Sequence, residues 1–147
     1  MQKMPMEIAL KEAQKAAADD EVPVGAVIVK DGVVIAQAGN LTHKAFDPTG
    51  HAEIRAIRMA CEALQSERLT GCDLYVTLEP CAMCAGAISF ARIRRLYYGA
   101  PDAKGGAVEN GPLFFSQPTC HHQPEVYSGF YEKVAKDILK EFFKKKR

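Results

Sequence analysis

The distribution of apolar and polar residues divides the chain into helical and strand-like segments. Apolar residues at helical spacing predict a helix over residues 6–18. Two β-branched runs, at residues 24–30 and 33–38, flank Asp31-Gly32, a favoured pair for a two-residue hairpin turn. The chain is therefore expected to begin with a helix followed by a β-hairpin.

The remaining segments continue this alternation. A second helix is predicted to begin at Pro48 or Gly50 and to run to about Gln65, because Asp47-Pro48-Thr49 offers a side-chain cap and a first-turn proline. The later segments are a strand at 73–78, a buried helix at 81–90, a strand at 95–99, a mostly irregular stretch at 100–124 with one short helix, a strand at 125–128 and a helix at 131–145. This order predicts an α/β layered domain with an initial hairpin and later parallel pairing. We expect residues 1–147 to form one domain.

Composition narrows the class of protein. The chain is 48% hydrophobic and 25% charged, which is typical of a soluble globular protein. It contains neither an apolar run near the length of a membrane span nor the core of a signal peptide, so a soluble, cytoplasmic protein is expected. The net charge is only +1, but residues 136–147 carry +4 and the other residues −3. This basic tail is either a solvated helix end or a phosphate contact.

The cysteines indicate a metal site rather than a disulfide framework. Their number, five, is odd, and only Cys81 and Cys84 are spaced for joint action. Three positions apart at the start of a helix, they share one face, and the helix dipole favours their thiolates. Together with His51 they would form a three-ligand zinc site with the fourth position open to water. The residues alone leave iron possible as the metal.

Glu53 suggests catalysis at this site. A carboxylate beside an open metal position can take a proton from water and deliver it to a leaving group. Helical periodicity does not place His51 and Glu53 on one face, although in a first turn both can reach one pocket. The alternative is a closed structural site with a fourth ligand from Cys120, His121 or His122.

These residues carry a resemblance to a known family. His51-Ala52-Glu53 and Pro80-Cys81-Ala82-Met83-Cys84 match the His-x-Glu and Pro-Cys-x-x-Cys signature of the zinc nucleobase deaminases. The resemblance implies a cytidine-deaminase-like three-layer α/β/α sandwich with a mixed, mostly five-stranded sheet. It further implies one zinc held by His51, Cys81 and Cys84, with Glu53 as general acid/base and not as a ligand.

Longer stretches narrow the resemblance to the bacterial tRNA adenosine deaminases, which form inosine at the anticodon wobble position. The similar stretches are 21–27, 47–54, 74–87, 100–104 and the Phe142-Phe143 ending. The resemblance implies a tRNA anticodon loop as substrate and a homodimer, and it implies substrate contacts for six residues: Asn40, Val22, Ala52, Leu78, Asp102 and Lys104. Among these contacts, Asn40 would form a hydrogen bond with the flipped base. Val22 and Leu78 would form an apolar surface against which the base packs.

The chain also departs from that family's pattern. Pro101 stands where an arginine is common, Gly50 replaces an alanine, and His121 stands where an asparagine is frequent. Residues 109–123 diverge most, and Val134-Ala135 replaces a Glu-Cys pair. None of these positions belongs to the predicted zinc set, so the departures concern substrate contacts and not the reaction.

Two other hypotheses remain open on the sequence. The same zinc site would serve a deaminase of a free base or nucleoside such as guanine or cytosine, although the basic tail would then have no evident task. A non-catalytic zinc module is the other possibility. The presence of Glu53 favours an enzyme over that module.

Overall fold

The computed structural model describes residues 3–146, and these contain four α-helices, five strands and one short 3₁₀ helix. In chain order they are α1 Lys3–Ala18, β1 Gly25–Lys30, β2 Val33–Gly39, α2 Ala52–Leu64, β3 Cys72–Leu78, α3 Ala82–Ala91, β4 Arg95–Ala100, the 3₁₀ turn Phe114–Ser116, β5 Glu125–Ser128 and α4 Glu132–Lys145. Each predicted element is present, with its ends shifted by a few residues.

The five strands form one mixed sheet in the order β2-β1-β3-β4-β5. Strand β1 pairs antiparallel with β2 and β3, whereas β3–β4 and β4–β5 are parallel. The predicted hairpin turn is confirmed: Asp31 and Gly32 have φ values of 50° and 78°, the left-handed pair that a two-residue hairpin needs. Because β3 and β4 run parallel, the loops that follow them leave from the same edge of the sheet.

Alternation along the strands produces two cores, one on each face of the sheet. Leu74 and Val76 pack into the cluster formed with α2 and α3, whereas Tyr75 packs between the sheet and helices α1 and α4. Successive strand side chains point to opposite faces, so a central strand with helices on both sides buries apolar side chains on both faces. The expected three-layer α/β/α sandwich is confirmed.

The predicted start of the second helix was wrong. Helix α2 begins at Ala52, and the carboxylate of Asp47 accepts hydrogen bonds from the N–H and hydroxyl of Thr49 at 2.9 and 2.7 Å. Asp47 therefore closes a turn inside the preceding loop instead of capping the helix. The same loop is tied by the Leu41 N–H to the Gly50 carbonyl at 2.8 Å.

Helix α3 was predicted to be a buried helix, and the structure buries only one of its faces. Cys84, Ala85 and Ile88 face the core, whereas Phe90 is 84% exposed and Met83 37% exposed. All five cysteines are free thiols. Among the described helices, none combines the length and the apolar character needed to cross a membrane.

Candidate active site

The N-termini of helices α2 and α3 lie close together, and a possible metal ligand occupies the N-cap position of each. His51 is the N-cap of α2 and Cys81 the N-cap of α3, both with extended backbone, and neither side chain caps its own helix. Their side chains are therefore free to turn towards each other. Because His51 lies outside the regular helix, the 3.6-residue period does not separate it from Glu53 in the first turn of α2.

The three predicted ligands converge. His51 Nδ1 lies 3.6 Å from Cys81 Sγ and 3.5 Å from Cys84 Sγ, and the three atoms all lie within 4.8 Å of one another. With Zn–N near 2.05 Å and Zn–S near 2.3 Å, tetrahedral geometry requires N···S separations of about 3.6 Å. The donor set and its spacing thus fit zinc.

Within residues 3–146 this group has three members and no fourth. Cys120 and His122, two of the alternative fourth ligands, are engaged elsewhere. The Cys120 thiol and the Ser89 hydroxyl contact the His122 carbonyl at 3.2 and 2.8 Å, and the His122 ring contacts the Ile93 carbonyl at 2.6 Å. The alternative hypothesis of a closed structural site, with Cys120 or His122 as the fourth ligand, is therefore wrong.

The thiols differ in their affinity for protons. A hydrogen bond from Cys84 lowers the pKa of Cys81, and the same interaction raises the pKa of Cys84. The first turn of α3 adds unpaired N–H groups that favour negative charge. Cys81 is accordingly disposed to be a thiolate, the form that binds metals.

Glu53 is a buried acid beside this group. Its side chain is 4% exposed and its carboxyl group contacts the Cys84 thiol. Burial raises the pKa of Glu53 to about 7, so the group can hold or release a proton near neutral pH. Glu53 lies outside the three-atom metal group.

The predicted substrate residues fall into two sets. Asn40, directly after β2, accepts the Ala52 N–H through Oδ1 at 2.8 Å, which joins these two residues at the start of α2. Val22 and Leu78 are half-buried against the core, and Leu78 ends β3. The other two, Asp102 and Lys104, lie on another segment, which begins directly after Ala100, the β4 residue paired with Leu78.

Asp102 and Lys104 lie in a separate loop that follows β4, at residues 101–110. The Asp102 carboxylate accepts the N–H groups of Lys104 and Gly105 at 3.1 and 3.0 Å. This Asx turn leaves the Lys104 side chain exposed.

Sequence reasoning missed two buried glutamates that organise the loops around the site, Glu21 and Glu79. Glu21 is fully buried, and its carboxylate accepts the N–H groups of Thr42, His43 and Lys44 at 3.0, 3.1 and 2.9 Å. It therefore fixes the loop between β2 and α2. The available signal was weak, because Glu21 follows two other acids, Asp19 and Asp20, and only the apolar run that begins at Val22 indicates burial.

We expect the contribution of Glu21 to stability to depend on pH. Burial alone would raise its pKa, but the hydrogen bonds from residues 42–44 outweigh burial and lower the pKa to about 2, from 4.5. A lowered folded-state pKa stabilises the protein above about pH 4.5, and this stabilisation is lost as the pH falls towards 2. Glu21→Gln should lower the free energy of unfolding by roughly 1–3 kcal/mol at pH 7. Urea unfolding at pH 7, 4 and 3 should show the deficit shrinking at the two lower pH values; a constant deficit would contradict the electrostatic explanation.

An α/β/α sandwich with a His-Cys-Cys group and a buried glutamate defines the class of metal-dependent nucleobase deaminases. The family model described as MafB19-like deaminase matches residues 2–147. The tRNA-specific adenosine deaminase of Agrobacterium fabrum is 68% identical over 142 residues, covering 97% of this chain and 93% of its own length.

Solved structures agree with this class. A structure from a study of A-to-I editing by tRNA:A34 deaminases superposes with a TM-score of 0.92 at 68% identity, covering 92% of this chain and 99% of that one. A guanine deaminase from Nitrosomonas europaea shares the fold at 22% identity and a TM-score of 0.83, covering 95% and 83%. The chain belongs to the MafB19-like deaminase family and, within it, to the tRNA-specific adenosine deaminases.

Proposed function

We propose that this protein hydrolyses the C–N bond to the exocyclic amino group of adenosine at the wobble position of a tRNA anticodon, giving inosine and ammonia. The observation that carries the proposal is the joint presence of a three-ligand metal group, a buried proton-transfer carboxyl and 68% identity to a tRNA-specific adenosine deaminase over nearly the whole chain. The 147 residues would act as one domain, in the cytoplasm where tRNA is processed.

His51, Cys81 and Cys84 would hold one zinc ion. Bound zinc supplies a Lewis acid that activates water for attack on the ring carbon bearing the amine. The buried Glu53 carboxyl, adjacent to Cys84, would accept the water proton and pass it to the departing nitrogen. A pKa near neutrality suits both transfers.

The pocket around this centre would be formed by the two joined residues Asn40 and Ala52 together with Val22 and Leu78. Because Asn40 Oδ1 already accepts the Ala52 N–H, its Nδ2 is the atom left to donate to an acceptor on the base edge. The Ala52 N–H would contact the base only after leaving Asn40. Val22 and Leu78 would supply apolar walls on which a flipped base can pack.

The flanking RNA would contact Asp102, Lys104 and the basic end of α4. Lys144 and Lys145 are exposed, whereas Lys146 pairs with Asp20; Arg147 lies outside the described residues. Lys144 and Lys145 are therefore better placed to hold phosphates than Lys146.

The decisive assay measures inosine in a purified anticodon stem-loop carrying a wobble adenosine, with free adenosine, guanine and cytosine in parallel. We expect conversion of the stem-loop alone. Turnover of a free base with an untouched stem-loop would retain the deaminase chemistry and overturn the tRNA assignment.

We also propose a homodimer through the exposed face of α3. Met83 and Phe90 are two helical turns apart and therefore share a face, and Met59 is exposed on the adjacent α2. Large exposed apolar side chains on neighbouring elements suit a subunit contact. Phe90→Lys should shift the sedimentation coefficient from dimer to monomer; an unchanged coefficient would place the interface elsewhere.

A further inference from the structure

Glu79 is a buried carboxylate at the end of β3 for which the proposed reaction has no use. Its side chain is 2% exposed. Oε1 accepts the Asp102 N–H at 2.8 Å and the Asn110 side-chain amide at 2.7 Å. Oε2 accepts the N–H groups of Val108, Glu109 and Asn110 at 2.9, 2.8 and 3.1 Å.

These donors all belong to the loop that follows β4, residues 101–110. No lysine or arginine within residues 3–146 forms an ion pair with Glu79, so its charge is balanced by amide dipoles alone. Five donors engage both oxygens, which leaves Glu79 unsuited to moving protons during a reaction. The carboxylate instead takes the place of a regular backbone partner for an irregular loop.

The loop is built around this one side chain. A Cβ at Gly106 would collide with the Glu79 carboxyl group and lie 2.5 Å from the Asp102 carbonyl oxygen. The Tyr98 hydroxyl donates to the Glu109 carboxylate as a second attachment. Both features hold the loop close to the sheet edge.

The same loop is attached to the segment that leads into the metal group. The Ala107 N–H donates to the Pro80 carbonyl at 2.9 Å, one residue before Cys81, and the Glu79 N–H donates to the Ala100 carbonyl at 2.8 Å. Glu79 therefore connects two neighbouring strand ends: one leads to Cys81, and the other carries Asp102 and Lys104.

We propose that Glu79 is a positioning residue that determines substrate specificity by holding loop 101–110, and with it Asp102 and Lys104, against the nucleotides that flank the target base. This inference rests on the proposed function. It assigns Glu79 to recognition of the RNA around the adenosine rather than to the chemical step.

Glu79→Gln tests the proposal because it preserves shape and changes the acceptor set. An NH₂ group in place of Oε2 would face the N–H groups of Val108, Glu109 and Asn110. In place of Oε1 it would face the Asp102 N–H, while the Asn110 amide could rotate to accept from it. The loop therefore loses at least one hydrogen bond and the negative charge that its amides surround. We expect KM for the anticodon stem-loop to rise about tenfold, kcat to change less than about threefold, and zinc content to stay at one per chain.

Variants of the RNA test whether the rise in KM comes from lost contacts with the flanking nucleotides. Replacing the nucleotides that flank the wobble adenosine by abasic sites should raise KM for the unmodified protein and change KM much less for Glu79→Gln. The two changes should be non-additive because both remove the same contacts. Fully additive effects would overturn the proposal.

Limited trypsin digestion measures the loop without any substrate. Glu79→Gln should accelerate cleavage after Lys104 about tenfold and leave cleavage after Lys44 unchanged. Glu21→Gln, the matched removal of a buried carboxylate that holds residues 42–44, should do the reverse. Cleavage rates report how often each loop opens.

The outcomes separate the two proposals. An unmodified protein that leaves the stem-loop unedited contradicts the proposed function; the trypsin result still tests the loop. If stem-loop editing is normal but Glu79→Gln loses zinc or kcat at unchanged KM, Glu79 supports the metal segment and the inference fails.

A second variant covers the case in which Glu79→Gln does not fold. Asn110→Ala removes the 2.7 Å contact alone, and it should raise both KM and the rate of cleavage after Lys104 about threefold. No change in either quantity would overturn the inference.

Discussion

Glu53→Gln is expected to lower kcat on the anticodon stem-loop by 10²- to 10⁴-fold or more, the usual contribution of a general acid/base. The amide retains the size of the side chain but can neither take a proton from water nor deliver one to the leaving nitrogen. Because the carboxyl group is buried beside Cys84, bulk water is a poor substitute. Single-turnover kinetics measure the effect.

Two controls accompany that measurement. Glu53 is not one of the three metal-group atoms, so zinc content should remain one per chain, and stem-loop affinity should change little. A variant that retained full turnover would remove Glu53 from the mechanism. Loss of zinc with loss of turnover would instead indicate a supporting role at the metal group.

Cys84→Ala is expected to abolish both zinc binding and turnover. Cys84 is fully buried with its Sγ 3.5 Å from His51 Nδ1, and two remaining donors cannot complete the site. Since a metal that binds only the folded state adds its binding free energy to stability, the variant should also unfold at a lower temperature. Elemental analysis and thermal unfolding measure these effects.

Cys72→Ala is the matched control for this variant. Cys72 is also fully buried and lies in β3, outside the metal group. Its replacement should reduce stability through lost packing while zinc content stays at one per chain. Equal zinc content in the two variants would contradict the assignment of Cys84.

Much of the fold could be predicted because local chemistry and tertiary packing agree. Asp31-Gly32 suits positive φ in any context, and the alternation of Leu74, Tyr75 and Val76 describes a strand covered on both faces. Where local preference and tertiary demand differ, prediction failed. Asp47 and Pro48 have the chemistry of a helix start, but the Asp47 carboxylate accepts from Thr49 within the loop, and α2 begins only after His51.

The residues of the candidate site likewise fall into those that could be predicted from the sequence and those that could not. His51, Glu53, Cys81 and Cys84 were predicted to act together because few residue types bind metals or move protons, and the structure brings them to one place. Glu21 and Glu79 were missed because their partners are backbone N–H groups, which every non-proline residue has. A carboxylate that binds the backbone leaves no partner to find in the sequence. Phe90 was placed in a buried helix because its apolarity does not reveal that it lies on the exposed face of α3.

The parallel pairing of β3 and β4 places the metal group and the proposed recognition loop at two neighbouring strand ends. The strand end at Leu78 leads into the metal group, whereas the strand end at Ala100 leads into loop 101–110, and the two are joined by a side chain and a few hydrogen bonds. Pro101 forms none of the hydrogen bonds that join this loop to Glu79 and Pro80, so a substitution at that position leaves the contacts next to Cys81 in place. Given the proposed role of loop 101–110, one deaminating centre could acquire new nucleic-acid preferences through changes in this loop, provided that the carboxylate of Glu79 keeps its amide partners.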